Sequence, residues 1–288
     1  MKKSNLKKYI NCGILACIGL IIVWIFYGLW SSAYNLECTY YYPKNEKIMD
    51  EVKILQLSDL HNSKFGDNNS KLVDIVRELY PDAIAITGDI LNSNEEDLST
   101  ALDLIEELSL IAPVYFSYGN HELEYEEVYG ADLESEFSDA GAIVLDEQYV
   151  DIEINGQNIR IGGIYGYCLP ERYHSNEDEV KFLREFEATD SYKILLSHLP
   201  YAWVNYGFTA DYDIDLIFAG HVHGGQVIFP VIGGLYDQEF GFFPGKMKGI
   251  YYENNTTTVL SSGLGSNKEK LPRFNNIPEI VVTTISAE

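Results

Sequence analysis

The polar motifs of this chain recur at the ends of short apolar runs, each of which has the pattern of a buried β-strand. The clearest case is 217–226, where an apolar run ends at Gly220 and is followed by His221 and His223. Residues two apart on an extended chain point to the same side, so both imidazoles can reach one shared point. Neutral imidazole is the commonest metal-ligating side chain, although this pair alone fits a polar loop equally well.

The same arrangement follows other predicted strands of the chain. The predicted strands are 52–57, 83–87, 114–117, 192–197 and 216–219. The polar residues that follow them are Asp59, His61, Asp89, Asn120, His121, His198, His221 and His223. Of the six histidines, only His174 lies outside this set. In open α/β sheets ligands bind outside the carboxyl ends of the strands, so we expect these loops to converge on one rim.

Helical spacing of apolar residues between the strands predicts helices, as at 72–79. Residues 92–94 offer an N-cap for a second helix whose apolar face runs over 98–108. An alternating stretch contains Asn155-Gly156, the strongest short-range hairpin signal, which predicts antiparallel strands. Together these patterns predict an α/β fold of two packed mixed β-sheets flanked by helices.

The N-terminal region predicts a membrane anchor. Residues 1–8 are basic, and 9–30 carry no charge, which is roughly the 20 residues that a helix needs to cross a bilayer. The lysines predict a single-pass protein of the cell membrane, with a cytoplasmic N-terminus and the rest of the chain extracytoplasmic. Small residues at 31–33 leave a cleaved signal peptide as the alternative, although the apolar run exceeds the usual length of about 7 to 15 residues. We expect a juxtamembrane linker over 31–50 and a single domain over 51–288.

Two further features are open to more than one interpretation. The chain has four cysteines without a CxxC motif, so neither a disulfide framework nor a cysteine zinc site is indicated, and the pairing of Cys38 with Cys168 stays open. The aromatic-rich segment 227–252 is expected to form loops and short strands. Its aromatic residues are interpreted as core packing, with a substrate pocket or a bilayer contact as alternatives. These residues are Phe229, Tyr236, Phe240, Phe242 and Phe243.

The residue types at the strand ends fit a metal centre. Carboxylates, imidazoles and an amide oxygen suit divalent ions such as manganese, iron or zinc. Seven candidate ligands exceed what one catalytic ion with an open position needs. They suit two ions about 3.5 to 4 Å apart, a pair that serves phosphoester hydrolysis or aminopeptidase chemistry.

Taken in order, the motifs resemble those of the calcineurin-like metallophosphoesterases, from about residue 52 to the C-terminus. They are Asp59-x-His61, Gly88-Asp89, Gly119-Asn120-His121-Glu122, His198 and Gly220-His221-x-His223. The fuller forms SDLH, TGD, GNHE, LSHLP and GHVHGGQ resemble the membrane-anchored branch that includes the UDP-diacylglucosamine hydrolases. The closing segments Arg273-Phe274 and Pro278-Glu279 resemble that branch as well.

The resemblance implies a role for each residue. One divalent ion (Mn, Fe, Zn or Mg) would be held by Asp59, His61 and His223. A second ion would be held by Asn120, His198 and His221. Asp89 would bridge both ions, His121 would be a catalytic proton donor or transition-state contact, and Glu122 would support His121 or a ligand from behind. Such ions lower the pKa of bound water toward about 7, which gives a hydroxide nucleophile.

The expected function is a membrane-anchored, metal-dependent phosphoesterase acting on a lipid-linked or cell-envelope phosphoester. A metal-binding interaction protein without turnover and a membrane-associated nuclease are the alternatives. The net charge is −24, and because the four N-terminal lysines contribute +4, the remaining chain carries −28. Such a surface repels phosphate backbones, which disfavours nucleic-acid substrates.

Overall fold

The computed structural model describes residues 3–173, 176–266 and 272–288, with side chains from Lys8 onward. His174 and the first two residues of the basic N-terminal segment lie outside the described residues. The helices are α1 (Lys3–Tyr34), α2 (Ser70–Leu79), α3 (Ser99–Ser109), α4 (Asn120–Tyr129), α5 (Leu133–Asp139), α6 (Glu177–Glu187) and α7 (Tyr201–Val204).

Strands account for most of the remaining regular structure. They are β1 (Glu37–Tyr41), β2 (Val52–Leu57), β3 (Ala83–Thr87), β4 (Val114–Ser117), β5 (Ala142–Val144), β6 (Gln148–Ile154), β7 (Gln157–Ile164), β8 (Tyr192–Ser197), β9 (Leu216–Ala219), β10 (Ile228–Phe229), β11 (Gly233–Gly234), β12 (Tyr236–Asp237), β13 (Gly241–Phe242), β14 (Gly249–Glu253), β15 (Thr256–Leu260) and β16 (Glu279–Ile285).

Two mixed six-stranded sheets form the body of the fold. The first has the order β1-β16-β2-β3-β4-β5, in which β2 to β5 are parallel and β16 is antiparallel to β2. The second has the order β14-β15-β9-β8-β7-β6, in which the four central strands are parallel and both edge strands are antiparallel. The predicted fold class, two packed mixed sheets flanked by helices, is confirmed.

Apolar side chains pack in three layers. The layer between the sheets includes Ile54 and Ala85 from the first sheet and Ile194 and Phe218 from the second. Helices α2, α3 and α5 cover the outer face of the first sheet, and α6 and α7 cover that of the second. Central strands buried on both faces read as continuous apolar runs, as seen here. Each fully buried Leu, Ile or Phe contributes about 1.5 to 3 kcal/mol, so the sheets hold their carboxyl-end loops on a rigid base.

The predicted hairpin is present between β6 and β7. Its turn residues Asn155 and Gly156 have φ angles of 50° and 76°. Both values lie in the left-handed region that a type I′ turn requires. The predicted N-cap at 92–94 is wrong, because α3 begins at Ser99 and the Asp97 carboxylate accepts from the Ser99 N–H. The predicted role in core packing is also wrong for most of the 227–252 aromatics, since Tyr236, Phe240, Phe242 and Phe243 are exposed.

The N-terminal helix and the segment after it differ from the predicted boundaries. Within the described residues one helix, over Lys8–Tyr34, is long and apolar enough to span a membrane. It continues four residues past the predicted end at Trp30. The predicted linker 31–50 contains β1, which pairs in parallel with β16. Strand β1 is an edge strand with partly buried side chains on both faces, so it shows no clear alternation in the sequence.

Cys38 and Cys168 are both free among the described residues. Cys38 packs against the core on the outer face of the first sheet, whereas Cys168 is buried in the core on the outer face of the second. The two thiols therefore belong to separate cores of the domain.

Candidate metal centre

The residues predicted for the metal centre meet at one rim. Strands β2, β3, β4, β8 and β9 end directly before them, and these strands come from both sheets. Many of the residues have left-handed backbone conformations, which are rare for side chains other than Gly and which cluster at functional sites. They are Asp59 (φ 52°), His61 (φ 48°), Asp89 (φ 53°), His221 (φ 71°) and His223 (φ 48°).

One cluster of potential ligands consists of Asp59, His61 and His223, whose ligand atoms lie within 4.8 Å of one another. The Nε2 atoms of His61 and His223 are 3.3 Å apart. Nε2 of His223 lies 3.6 Å from Oδ1 of Asp59. All three side chains are buried, which strengthens the interaction of their ligand atoms with a bound cation.

A second cluster consists of Asp89, His198 and His221. Nδ1 of His221 is 3.2 Å from Nε2 of His198. Oδ2 of Asp89 lies 3.3 Å from Nε2 of His198 and 3.6 Å from Nε2 of His61. A single carboxylate oxygen thus faces both clusters, which is the position that a bridging ligand needs.

Asn120 supplies the test of whether these residues fit metal ions. Its Oδ1 atom is buried and has no hydrogen-bond partner in the part of the chain that the structure describes. A buried carbonyl oxygen without a partner costs about 1 to 3 kcal/mol, so such an atom calls for a ligand. The next residue, His121, donates through its backbone N–H to Oδ1 of Asp89 at 2.9 Å, so Asn120 belongs to the same rim as carboxylates and imidazoles that suit divalent ions.

His121 stands beside both clusters. Its ring meets that of His61 edge to face at 4.7 Å, and its ligand atom lies within 4.8 Å of those of His61 and Asp89. The backbone N–H of Ser93 donates to Nδ1 of His121 at 3.1 Å. Because Nδ1 accepts, the neutral ring carries its proton on Nε2. In this tautomer Nε2–H can donate a hydrogen bond, as a transition-state contact requires, whereas transfer of a proton would need a doubly protonated ring.

The ring nitrogens of two predicted ligands are oriented by hydrogen bonds on their far sides. Asn92 donates through Nδ2 to the His61 carbonyl at 3.0 Å, so its Oδ1 faces Nδ1–H of His61 at 3.1 Å. Nδ1 of His198 donates to the Thr87 carbonyl at 2.7 Å. Each bond leaves Nε2 as the ligating atom, an arrangement typical of metal-binding histidines. From the sequence Asn92 was assigned only to a helix N-cap, because an Asn in a loop is also typical of that position, and its role in orienting His61 was not predicted.

Glu122 is fully buried and supports the backbone of the site. Its carboxylate accepts from the N–H groups of Asp89 (2.8 Å), Ile90 (2.9 Å) and Gly119 (2.7 Å). It therefore joins the β3 loop to the β4 loop, just before Asn120. Burial and the charge of Asp89 raise the pKa of Glu122 to about 7.

The charges inside the rim are strongly coupled. Burial alone would raise the pKa of Asp89, but the adjacent His198 and His61 outweigh it and hold that pKa well below its usual range. Burial would lower the pKa of His198, whereas Asp89 and Asp59 raise it to about 9. A protonated imidazole cannot ligate, so metal binding at this site would release a proton.

Arg273-Phe274 was noted in the sequence only as a resemblance and Asn276 was not noted, and the structure places Arg273 and Asn276 behind His223. Nδ2 of Asn276 donates to the His223 carbonyl at 2.7 Å. Arg273 is buried and donates through Nε to the Gly265 carbonyl at 3.0 Å, with Nη2 lying 3.4 Å from Nδ1 of His223. Burial lowers the pKa of Arg273 to about 10.

An apolar cavity of about 390 Å³ adjoins the metal-ligand clusters. Its lining includes His221 and His223 together with Val227, Tyr236 and Phe242. A ligand that placed a polar head against the histidines would therefore have room for an apolar group beside them.

The chain is similar in sequence to several known proteins. The profile of the calcineurin-like phosphoesterase family matches residues 52–225. The uncharacterised metallophosphoesterase YkoQ of Bacillus subtilis is 26% identical over 232 residues, covering 80% of this chain and 82% of that protein. YkuE of the same organism is 27% identical over 270 residues, covering 91% and 89%. A Bos taurus transmembrane protein with a metallophosphoesterase domain is 30% identical over 206 residues, covering 65% of this chain and 44% of that protein.

Proposed function

The chain belongs to the calcineurin-like phosphoesterase family, and we propose that it is a membrane-anchored phosphoesterase with two metal ions and an extracytoplasmic catalytic domain. Family membership and the clustered ligand groups support metal-dependent phosphoester hydrolysis. The observation that carries the two-ion proposal is Oδ2 of Asp89, which lies within 3.6 Å of a histidine from each cluster.

We assign one ion to Asp59, His61 and His223 and the other to Asn120, His198 and His221, with Asp89 shared. When bound, two divalent ions would acidify a water molecule and neutralise the charge of the phosphate. Manganese, iron and zinc suit this mixed set of imidazoles and oxygens, whereas magnesium prefers oxygen ligands, and we put manganese first.

The chain's own residues would orient the metal ligands, hold the loops that carry them and contact the substrate. The Asn92 side chain fixes the ring orientation of His61, and the Thr87 carbonyl fixes that of His198. His121, with its proton on Nε2, would donate a hydrogen bond to an oxygen of the reacting phosphate and so act as the transition-state contact. Glu122 keeps the β3 and β4 loops at a fixed separation through its three backbone hydrogen bonds.

The proposed substrate is a lipid-linked or cell-envelope phosphoester. Helix α1 supports membrane attachment, and the apolar cavity beside His221 and His223 provides space for an apolar substituent. The bovine relative is named as a transmembrane protein, which is consistent with the anchor. The basic residues before α1 support a cytoplasmic N-terminus. We take the catalytic domain to begin at β1, so it covers residues 37–288.

The test uses the full chain, purified in detergent and stripped of metal. A phosphomonoester and a phosphodiester are assayed with Mn²⁺, Zn²⁺, Mg²⁺, Fe²⁺ or no addition, and bound metal is counted by mass spectrometry. We expect metal-dependent turnover in wild type and in the control Asp139→Asn, whose side chain is exposed, and no turnover in Asp89→Asn. Two bound ions per chain without turnover on any ester would favour a metal-binding interaction protein. Turnover confined to DNA or RNA would favour a nuclease.

A further inference from the structure

Exposed apolar residues form a surface at the rim of the catalytic domain, on two small hairpins that follow the His221–His223 loop. We define this rim surface as Val231, Ile232, Tyr236, Phe242 and Phe243. Val231 is fully exposed, Ile232 is 61% exposed and Phe242 is 71% exposed. We propose that the rim surface lies in the interface of the bilayer that α1 spans, so that the metal-bearing rim faces the membrane. This inference rests on the proposed membrane anchoring.

The first hairpin of the rim is connected to α1 through Phe274. The ring of Phe274 packs edge to face on Trp24 of α1, with ring centroids 4.9 Å apart. The Ile228 N–H, at the start of the first hairpin, donates to the Phe274 carbonyl at 2.9 Å. At Gly28 a Cβ atom would lie 2.5 Å from the Phe274 ring, so the absence of a side chain allows this close approach.

The depth of these contacts in the bilayer follows from the helix geometry. Trp24 lies six residues before Trp30, the last residue of the charge-free run, which is about 9 Å along the helix axis. The polar interface of one leaflet is about 5 to 8 Å thick, being half the difference between the full bilayer and its hydrocarbon core. Because 9 Å exceeds this thickness, the Trp24 contact lies at or just below the inner edge of the interface when Trp30 lies within it, so Phe274 and the hairpin beside it are held against the membrane.

The chemistry of the rim surface favours lipid over another partner. Tyr236 at the membrane surface would match the Trp and Tyr belts of membrane proteins, and the rings of Phe242 and Phe243 are apolar. Apolar patches on soluble domains are usually kept small, and one that adjoins a membrane helix has an apolar medium within reach. The remaining chain is strongly acidic, so contact with an anionic membrane would depend on apolar insertion and not on charge attraction.

In this placement the apolar cavity would connect the membrane with the histidines of the metal centre. Tyr236 and Phe242 belong to both the rim surface and the cavity wall, and His221 and His223 line the same cavity. A lipid phosphoester would then reach the histidines with its phosphate while its chain stayed in the cavity and the bilayer. The substrate class that fits is an amphiphile with the phosphoester next to its apolar portion.

The experiment measures Trp fluorescence of the full chain reconstituted in phosphatidylcholine vesicles, with and without dibrominated acyl chains, which quench Trp on contact. Ile232→Trp places the reporter in the rim surface. Tyr252→Trp is the matched control, because β14 is paired with β15 so that Tyr252 lies opposite Thr257, at the end of the sheet away from the metal centre. The wild-type signal, from Trp24, Trp30 and Trp203, is subtracted.

We expect at least half of the added fluorescence of Ile232→Trp to be quenched, and less than a tenth of that of Tyr252→Trp. Equal quenching of the two variants would overturn the proposal. If Ile232→Trp does not fold, Val231→Trp takes its place with the same expectation. The readout needs no turnover, so it is independent of the phosphoesterase assay, and quenching of Trp24 and Trp30 in wild type tests the anchor separately.

Discussion

Asn276→Ala tests how much the metal centre depends on a residue outside the family motifs. Asn276 is 1% exposed and donates through Nδ2 to the His223 carbonyl at 2.7 Å and, more weakly, to the Gln226 carbonyl at 3.3 Å. Its backbone N–H donates to Oγ of Ser32 in α1 at 2.9 Å. The alanine variant keeps this last bond and removes the two that hold the His223 loop.

The expected magnitude follows from these contacts. Both carbonyls retain a backbone donor in the variant. The His223 carbonyl accepts from the Gln226 N–H at 2.9 Å, and the Gln226 carbonyl accepts from the Phe274 N–H at 3.3 Å. The lost stabilisation is therefore near that of one good hydrogen bond with a small cavity, about 2 kcal/mol in the free energy of unfolding. Loss of a group that orients a metal ligand typically weakens metal binding about 10- to 100-fold.

Two measurements on the full chain in detergent check the expectation. Calorimetric titration of metal-free protein gives the metal dissociation constants, and urea unfolding followed by Trp fluorescence gives the stability, with buried Trp203 as the reporter inside the domain. The control is Asn205→Ala, the same substitution at an exposed position. The reasoning is refuted if Asn276→Ala binds metal within threefold of wild type and unfolds at the same urea concentration as the control.

Three further predictions follow from the site. Gly220→Ala would place a Cβ against Oγ of Ser58 and 2.5 Å from Oδ2 of Asp59, so we expect a loss of about 1 to 3 kcal/mol in urea unfolding and weaker metal binding. Asn92→Ala frees the ring of His61, and titration calorimetry should show metal affinity about 10- to 100-fold lower with the fold intact by circular dichroism. Adding metal at about 100 times its dissociation constant to chelator-stripped protein should raise the unfolding free energy by about 2.7 kcal/mol, and an unchanged urea midpoint would contradict a built metal site.

The sequence alone determined the elements whose signals are local. Buried parallel strands read as short apolar runs, and a loop at the carboxyl end of each had to carry the polar residues, so Asp59, Asp89 and His198 could be assigned to one rim. The Asn155-Gly156 turn was predictable for the same reason, because positive φ angles at two consecutive residues favour that dipeptide.

Tertiary structure decided whatever depends on contacts between distant segments. Strand β1 has no local alternation, and only pairing with β16, more than two hundred residues away, makes it part of the sheet. Asn92 and Asn276 read as ordinary loop residues until the fold places them behind His61 and His223. The exposure of the rim surface could likewise not be predicted from the sequence, because an aromatic residue gives the same local pattern whether it packs in a core or faces outward. Such roles depend on which groups meet in space, and the sequence of a single segment does not contain that information.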